Sequence, residues 1–323
     1  MSCTIALAGD TMLGRGVAVR LLEAGPRCLV SQGVRDLVGA ADLFVLNLEC
    51  CISDRGEPWP APGKPFFFRG PPVAVEALRW LGVDVVTLAN NHALDFGPVA
   101  LLDTLELLTR AGIAVVGAGA DEERARQPVV VDVEGARIGI LGLTDHPADF
   151  AAGPDRPGVA YTDLCADARP VWVLDAVTGL QDRADVVIVT PHWGPNMTPR
   201  PLGYVRKCAS ALRAAGADLV AGHSAHVPHG VADGICFDLG DFIDDYAVDP
   251  ALRNDLGLLF LVTIDDGRPV QVRAVPLALD FCHTRLAVDE EYRWMSKRFT
   301  AACAELDTKA EPTDGSGLVV RWA

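Results

Sequence analysis

The sequence predicts an α/β protein built around parallel strands, and three observations carry that expectation. Short runs that are apolar on both faces recur along the chain, as buried parallel strands require. Helical patterns with recognisable start and stop residues lie between them. Polar residues able to bind a metal stand just past the ends of the runs, where open α/β sheets bind their ligands.

TIALAG (4–9), LFVLNL (43–48), DVVTLA (84–89), IAVVG (113–117) and RIGILGLT (137–144) read as the first strands. PPVAVEALRWLG (71–82) opens on prolines and stops at Gly82, and GPVALLDTLELLTRAG (97–112) opens on Gly-Pro and stops at Gly112; both read as helices. ADVVIVTP (184–191), ADLVAG (217–222) and GICFDLG (234–240) continue the strands, with a helix over YVRKCASALRAAG (204–216). LGLLFLVTID (256–265) and PVQVRAVPLAL (269–279) predict a hairpin turned at Asp266-Gly267. Residues 287–305 fit a final amphipathic helix. Residues 53–70, rich in Pro, Gly and aromatics, predict a long ordered loop beside Glu49. No internal repeat or linker is visible, so one domain is expected over 1–306. The polar, mobile-looking stretch 307–317 opens a C-terminal tail, 307–323.

Composition narrows the function. The 323 residues carry a formal net charge of −15. So acidic a surface repels phosphate backbones and anionic lipid, which argues against nucleic acid and membranes as partners. It leaves an anionic substrate open, because a bound divalent ion reverses the local field. MSCTIALAGD lacks the basic start of a signal peptide, and runs such as Leu256 to Ile264 are too short to span a bilayer. The 9 cysteines form no CxxC pair, which fits a reducing cytoplasm rather than a disulfide framework. Adjacent Cys50 and Cys51 read as small buried residues.

The chemistry-bearing residues follow one rule of placement. Asp10 follows the first strand, Glu49 the second, and Asn90-Asn91-His92 the third. Asp145-His146, His192, the pair His223 and His226, and Asp241 follow later ones. Carboxylates, a side-chain amide and imidazoles suit a divalent ion of the Mn, Fe or Zn type better than a thiolate site would. Mg or Ca would want more oxygens. The loop GHSAHVPHG can aim the rings of His223 and His226, and that of His229, at one point. Each residue alone has a plainer reading: Asp10 could cap a helix, Asn91 could shape a turn, and His192 could be an ordinary core histidine. His146, His229 and His283 are left with that plainer reading. Five independent strand ends carrying ligand-type residues together point to a metal site.

These residues resemble a known family. GDTMLGR (9–15), NLE (47–49), NNHALDFG (90–97), PHWG (191–194), GHSAH (222–226) and LGDF (239–242) look like the CapA family of poly-γ-glutamate capsule synthesis proteins, itself similar to calcineurin-like metallophosphatases. The resemblance implies a four-layer αββα sandwich, two mixed sheets flanked by helices. It also implies roles: Asp10 on one metal, Glu49 bridging, Asn91 on the second metal, His92 in catalysis, and His192, His223 and His226 as further ligands. Four places depart from the pattern. Met12 stands where a His ligand is expected, leaving one metal a ligand short unless Asp145 or His146 supplies it. Asn196 replaces a Glu after HWG and is assigned to substrate binding. GHSAH replaces GHHPH. Asp241 replaces the Asn of GNF and would add charge at the site rim. The anchor or signal common among capsule-type members is not seen.

The resulting expectation is a cytoplasmic hydrolase with one or two divalent ions, its activated water attacking a phosphoester or an amide or γ-glutamyl bond. His92 would protonate the leaving group. Asp95, one helical turn on, would orient the His92 ring, and Arg15 would clamp an anionic group of a small-molecule or peptide-like substrate. Two other functions fit the same residues: a non-hydrolytic accessory protein of poly-γ-glutamate-type polymer synthesis, and a metalloenzyme recruited to small-molecule biosynthesis. The oligomeric state is left open.

Overall fold

The computed structural model describes residues 2–165, 170–313 and 317–322. Two sheets lie face to face. The larger runs in the order Glu311–Pro312, Leu318–Arg321, Arg268–Asp280, Leu256–Asp265, Ser2–Thr11, Leu43–Leu48, Val85–Thr87, Ala114–Val116. Its half from Ser2–Thr11 to Ala114–Val116 is parallel, and the rest is antiparallel. The smaller runs Val231–Ala232, Ile235–Cys236, Leu219–Ala221, Val186–His192, Ala136–Thr144, Val129–Val133 and is parallel through its middle.

Three apolar layers hold these sheets. Between them, Ile5, Leu7, Val45, Leu258 and Phe260 meet Ile138, Ile140, Val186 and Ile188. On the outer face of the larger sheet, Ala6, Phe44 and Leu46 pack against the helices Arg15–Ala24, Gln32–Gly39, Ala74–Leu81 and Gly97–Arg110. On the outer face of the smaller sheet, Leu141, Val187 and Val189 pack against Val171–Gln181 and Gly203–Ala214. The molecule is therefore the αββα sandwich that the motifs implied, and alternation of side chains across each strand produces it, one set inward and one outward. Among the described residues no helix is long and apolar enough to cross a membrane.

The hairpin turns where predicted. Asp266 and Gly267 both take positive φ, 46° and 75°, the geometry a two-residue turn needs to match strand twist. Two expectations need correcting. The stretch read as a C-terminal tail supplies a sheet strand, Leu318–Arg321 pairing with Gln271–Ala274, because LVVR buries its apolar residues against the sheet. Residues 314–316 of the polar stretch lie outside the described residues. GICFDLG is not one strand either. Only Ile235–Cys236 pairs in the smaller sheet, and the chain then crosses to the larger one, where Asp241–Ile243 runs parallel to Ser2–Thr11 with Asp241 opposite Asp10. The crossing depends on Gly9. A Cβ there would lie 1.8 Å from the Gly240 carbonyl oxygen, which accepts the Asp10 amide at 2.8 Å.

Candidate metal centre

The strand ends of both sheets open onto one buried polar cluster. From the larger sheet come Asp10, Glu49 and Asp241, and from the smaller His192, His223 and His226; all are buried. The parallel register sets Asp10 beside Asn47, whose amide donates to Asp10 Oδ1 at 2.7 Å. Asn47 Oδ1 accepts from Asn90 at 2.9 Å, and Asn90 Oδ1 accepts the His92 amide at 3.0 Å. This chain of amides fixes the turn that presents Asn91 and His92. Asp10 does not cap the next helix; its N-cap is Gly14.

His226 sits among carboxylates. Its Nδ1 lies 2.8 Å from Asp241 Oδ1, 3.2 Å from Asp10 Oδ2 and 4.0 Å from Glu49 Oε2. Burial pulls the imidazole pKa down, but Asp241, Glu49 and Asp10 together hold it well above its usual value. Glu49 is pushed well above the usual carboxylate range by burial, then by Asp10. Asp241 is pushed the same way, by burial first, against the charge and hydrogen bond of His226. Burial forces His192 well below an ordinary histidine and His223 down to about 4, so both rings are neutral with lone pairs available.

The decisive feature is what these atoms lack. Both oxygens of Glu49, both ring nitrogens of His192, His223 Nδ1, Asn91 Oδ1 and Asp241 Oδ2 are buried without a hydrogen-bond partner. Native proteins rarely leave buried polar atoms unsatisfied, and each costs about 1–3 kcal/mol, more if charged. Ligand atoms of Asp10, His192 and His223 lie within 4.8 Å of one another, as do those of Asp10, His226 and Asp241. The orphaned atoms and the N/O donor set both fit divalent cations.

His92 stands at the edge of the cluster, Nε2 3.9 Å from Glu49 Oε1. Its Nδ1 lies 2.6 Å from Asp95 Oδ2, and its ring packs 4.2 Å from that of Phe68. Arg15 pairs through Nε with Asp245 at 3.3 Å, its guanidinium over the rings of Phe66 and Phe68. Asn196 is exposed on the loop after Gly194. His229 turns to the Thr198 carbonyl and His283 to that of Cys28, each at 2.8 Å. Among the described residues neither Asp145 nor His146 joins the ligand-type groups that converge within 4.8 Å. Asp145 is committed to His146, to the Tyr204 hydroxyl and to the Gly194 amide. His146 bonds to Asp145, and its ring lies 5.1 Å from that of His192. Asp241 is no rim residue: it is 1% exposed, inside the cluster.

Sequence reasoning missed three residues. Lys64, on the predicted long loop, pairs with Asp95 Oδ1 at 2.8 Å and donates to the Asn91 carbonyl at 2.7 Å. Asp238 accepts the amides of Ala225 and Gly240, tying the histidine loop to the crossover. Asn47 is the third, and a polar side chain inside the apolar run LFVLNL was the signal for it.

Residues 4–246 match the model described as bacterial capsule synthesis protein PGA_cap. A probable polyglutamine synthesis accessory protein of Mycobacterium tuberculosis is 32% identical, over 90% of this chain and 89% of its own. PGA biosynthesis protein CapA of Bacillus subtilis is 29% identical, over 88% of this chain and 78% of its own. Among solved structures, a hypothetical protein from Thermus thermophilus superposes with a TM-score of 0.51 at 17% identity, covering 86% of this chain and all of that one, a likeness of fold.

Proposed function

The chain belongs to the PGA_cap family of bacterial capsule synthesis proteins, and on that premise we propose that it is a metal-dependent hydrolase acting on an amide or γ-glutamyl bond of an anionic, peptide-like substrate. One observation carries the reading: buried oxygen and nitrogen atoms of Glu49, Asn91, His192, His223 and Asp241 have no partners, and ligand atoms of His192, His223, His226 and Asp241 gather around Asp10. Asp10, Glu49, His192, His223, His226 and Asn91 would hold one or two divalent ions. When bound, such ions supply Lewis acidity and a water acidic enough to attack at neutral pH.

The chain's own groups supply the rest. Asp95 accepts from Nδ1 of His92, so the free atom of the ring is Nε2, facing Glu49. Nε2 is the atom that would carry a proton to the leaving nitrogen. Lys64 compensates the charge of Asp95 and holds the Asn91 backbone. Arg15, already stacked on two aromatic rings, offers a positive charge to a substrate carboxylate. The relatives named for polyglutamine synthesis and PGA biosynthesis support an amide over a phosphoester.

A second reading has its own support, since one relative is named an accessory protein: the site binds polymer without cutting it. Elemental analysis followed by assays on γ-glutamyl oligomers and on a generic phosphodiester separates the readings. Amide cleavage lost to a chelator and restored by metal supports the proposal. Cleavage of the phosphodiester alone moves the reaction to phosphorus. Oligomer binding with no cleavage in metal-loaded protein establishes the accessory role.

A further inference from the structure

We infer that the cluster holds two chemically unequal cation positions, and that Asp241 creates the inequality. With Asp10, Glu49 and His226 it frames an oxygen-rich position suited to Mn2+. His192 and His223 frame a nitrogen-richer position suited to Zn2+. The inference rests on the metal-site reading above and assigns Asp241 a place in it.

The backbone delivers Asp241 to the cluster. The Gly9–Gly240 contact lets the crossover lie against the first strand, and the parallel register sets Asp241 opposite Asp10. Its Oδ1 is 2.8 Å from His226 Nδ1, while its Oδ2 is buried and unpartnered. Other nearby groups leave this position to Asp241. Met12, two residues after Asp10, lies in the outer core with its sulfur accepting the Gly14 amide. Asp145 is engaged by His146, Tyr204 and Gly194. A carboxylate from the crossover therefore joins Asp10 and His226 in the cluster, where Met12 supplies no donor.

The donor sets then diverge. Around His226 the donors are three carboxylates and one imidazole. Around His192 they are two imidazoles, with Asp10 within reach of both groups. His223 Nε2 is held by Thr190 Oγ1 at 2.6 Å, which leaves Nδ1 as its ligand atom. Hard oxygen donors favour Mn2+, whereas imidazoles favour Zn2+, which also stands above Mn2+ in intrinsic affinity. Zinc should therefore take the imidazole position first and leave manganese the carboxylate one.

The test is metal content. Chelator-stripped protein is incubated with equimolar Mn2+ and Zn2+, desalted, and analysed for both elements, with Mn2+ also read by electron paramagnetic resonance. Wild type should retain about one of each. Asp241→Ala should lose the manganese and keep the zinc; His192→Ala should do the reverse. Asp241→Asn keeps a hydrogen bond to His226 and guards against misfolding of the alanine variant. It should weaken Mn2+ by about tenfold or more while Zn2+ stays within about threefold. Unchanged manganese in a folded Asp241 variant overturns this inference and leaves the metal site standing, as does wild type holding two zincs and no manganese. Wild type holding neither ion overturns both.

Discussion

Lys64 Nζ lies 2.8 Å from Oδ1 of Asp95, whose other oxygen is 2.6 Å from His92 Nδ1. Asp95 is fully buried, and Lys64 is the cation beside it. The long loop therefore reaches the His92 ring through this ion pair as well as through the ring of Phe68. Lys64→Met leaves a buried carboxylate uncompensated, a change that costs about 3–5 kcal/mol in such pairs. Thermal melts should show that loss. The kcat should fall about tenfold or more with metal content intact, and Lys64→Arg should recover most of it. Equal kcat in the methionine variant would show that the pair only anchors the loop.

His92→Ala should leave metal content unchanged while activity drops by about 10²-fold or more, the usual contribution of a positioned acid. Elemental analysis beside initial rates decides this. Parallel loss of metal and activity would make His92 a ligand.

Glu49→Gln should stabilise the metal-free protein and weaken its response to metal. Both Glu49 oxygens are buried without partners near Asp10 and Asp241, so the charge is a liability until a cation arrives. Chelated Glu49→Gln should melt several degrees above chelated wild type, and added Mn2+ or Zn2+ should raise its melting temperature less. A lower melting temperature for the chelated variant would contradict this account.

Acid should destabilise the protein through His229. Burial holds this imidazole down to about 4, against the hydrogen bond to Thr198. An unfolded histidine titrates near 6.5. Between those values the unfolded chain binds a proton that the folded chain does not, so stability falls as pH drops through that window. The full loss is on the order of 3 kcal/mol. His229→Gln keeps a donor for Thr198 and removes the titration. Urea melts at pH 7 and pH 4.5 should then show a smaller gap than in wild type; an unchanged gap would absolve His229.

Local chemistry wrote much of this architecture openly. The hairpin was legible because Asp-Gly tolerates two positive φ angles, and the parallel strands because both of their faces are apolar. Asp10, Glu49, His192 and His223 stood out as polar residues ending such runs. Lys64 did not, since its pairing with Asp95 depends on how an 18-residue loop folds back, and no periodicity encodes that. Asp241 was misplaced because GICFDLG has the apolar content of one strand, whereas the chain changes sheets within it. Leu318–Arg321 was hidden behind polar neighbours, and its pairing partner lies some 45 positions back.

The ligand-type residues are divided between sheets: Asp10, Glu49 and Asp241 ride on one, His192, His223 and His226 on the other. Apolar contacts such as those of Phe260 and Ile188, together with the bonds from His226 to Asp10 and Asp241, set the distance across that divide. A small slide of one sheet over its mate would alter every cross-sheet spacing in the cluster at once. Greasy side chains remote from the chemistry thus act as its calipers, and a trimmed methyl group there would register as a mistuned centre before it registered as a looser fold.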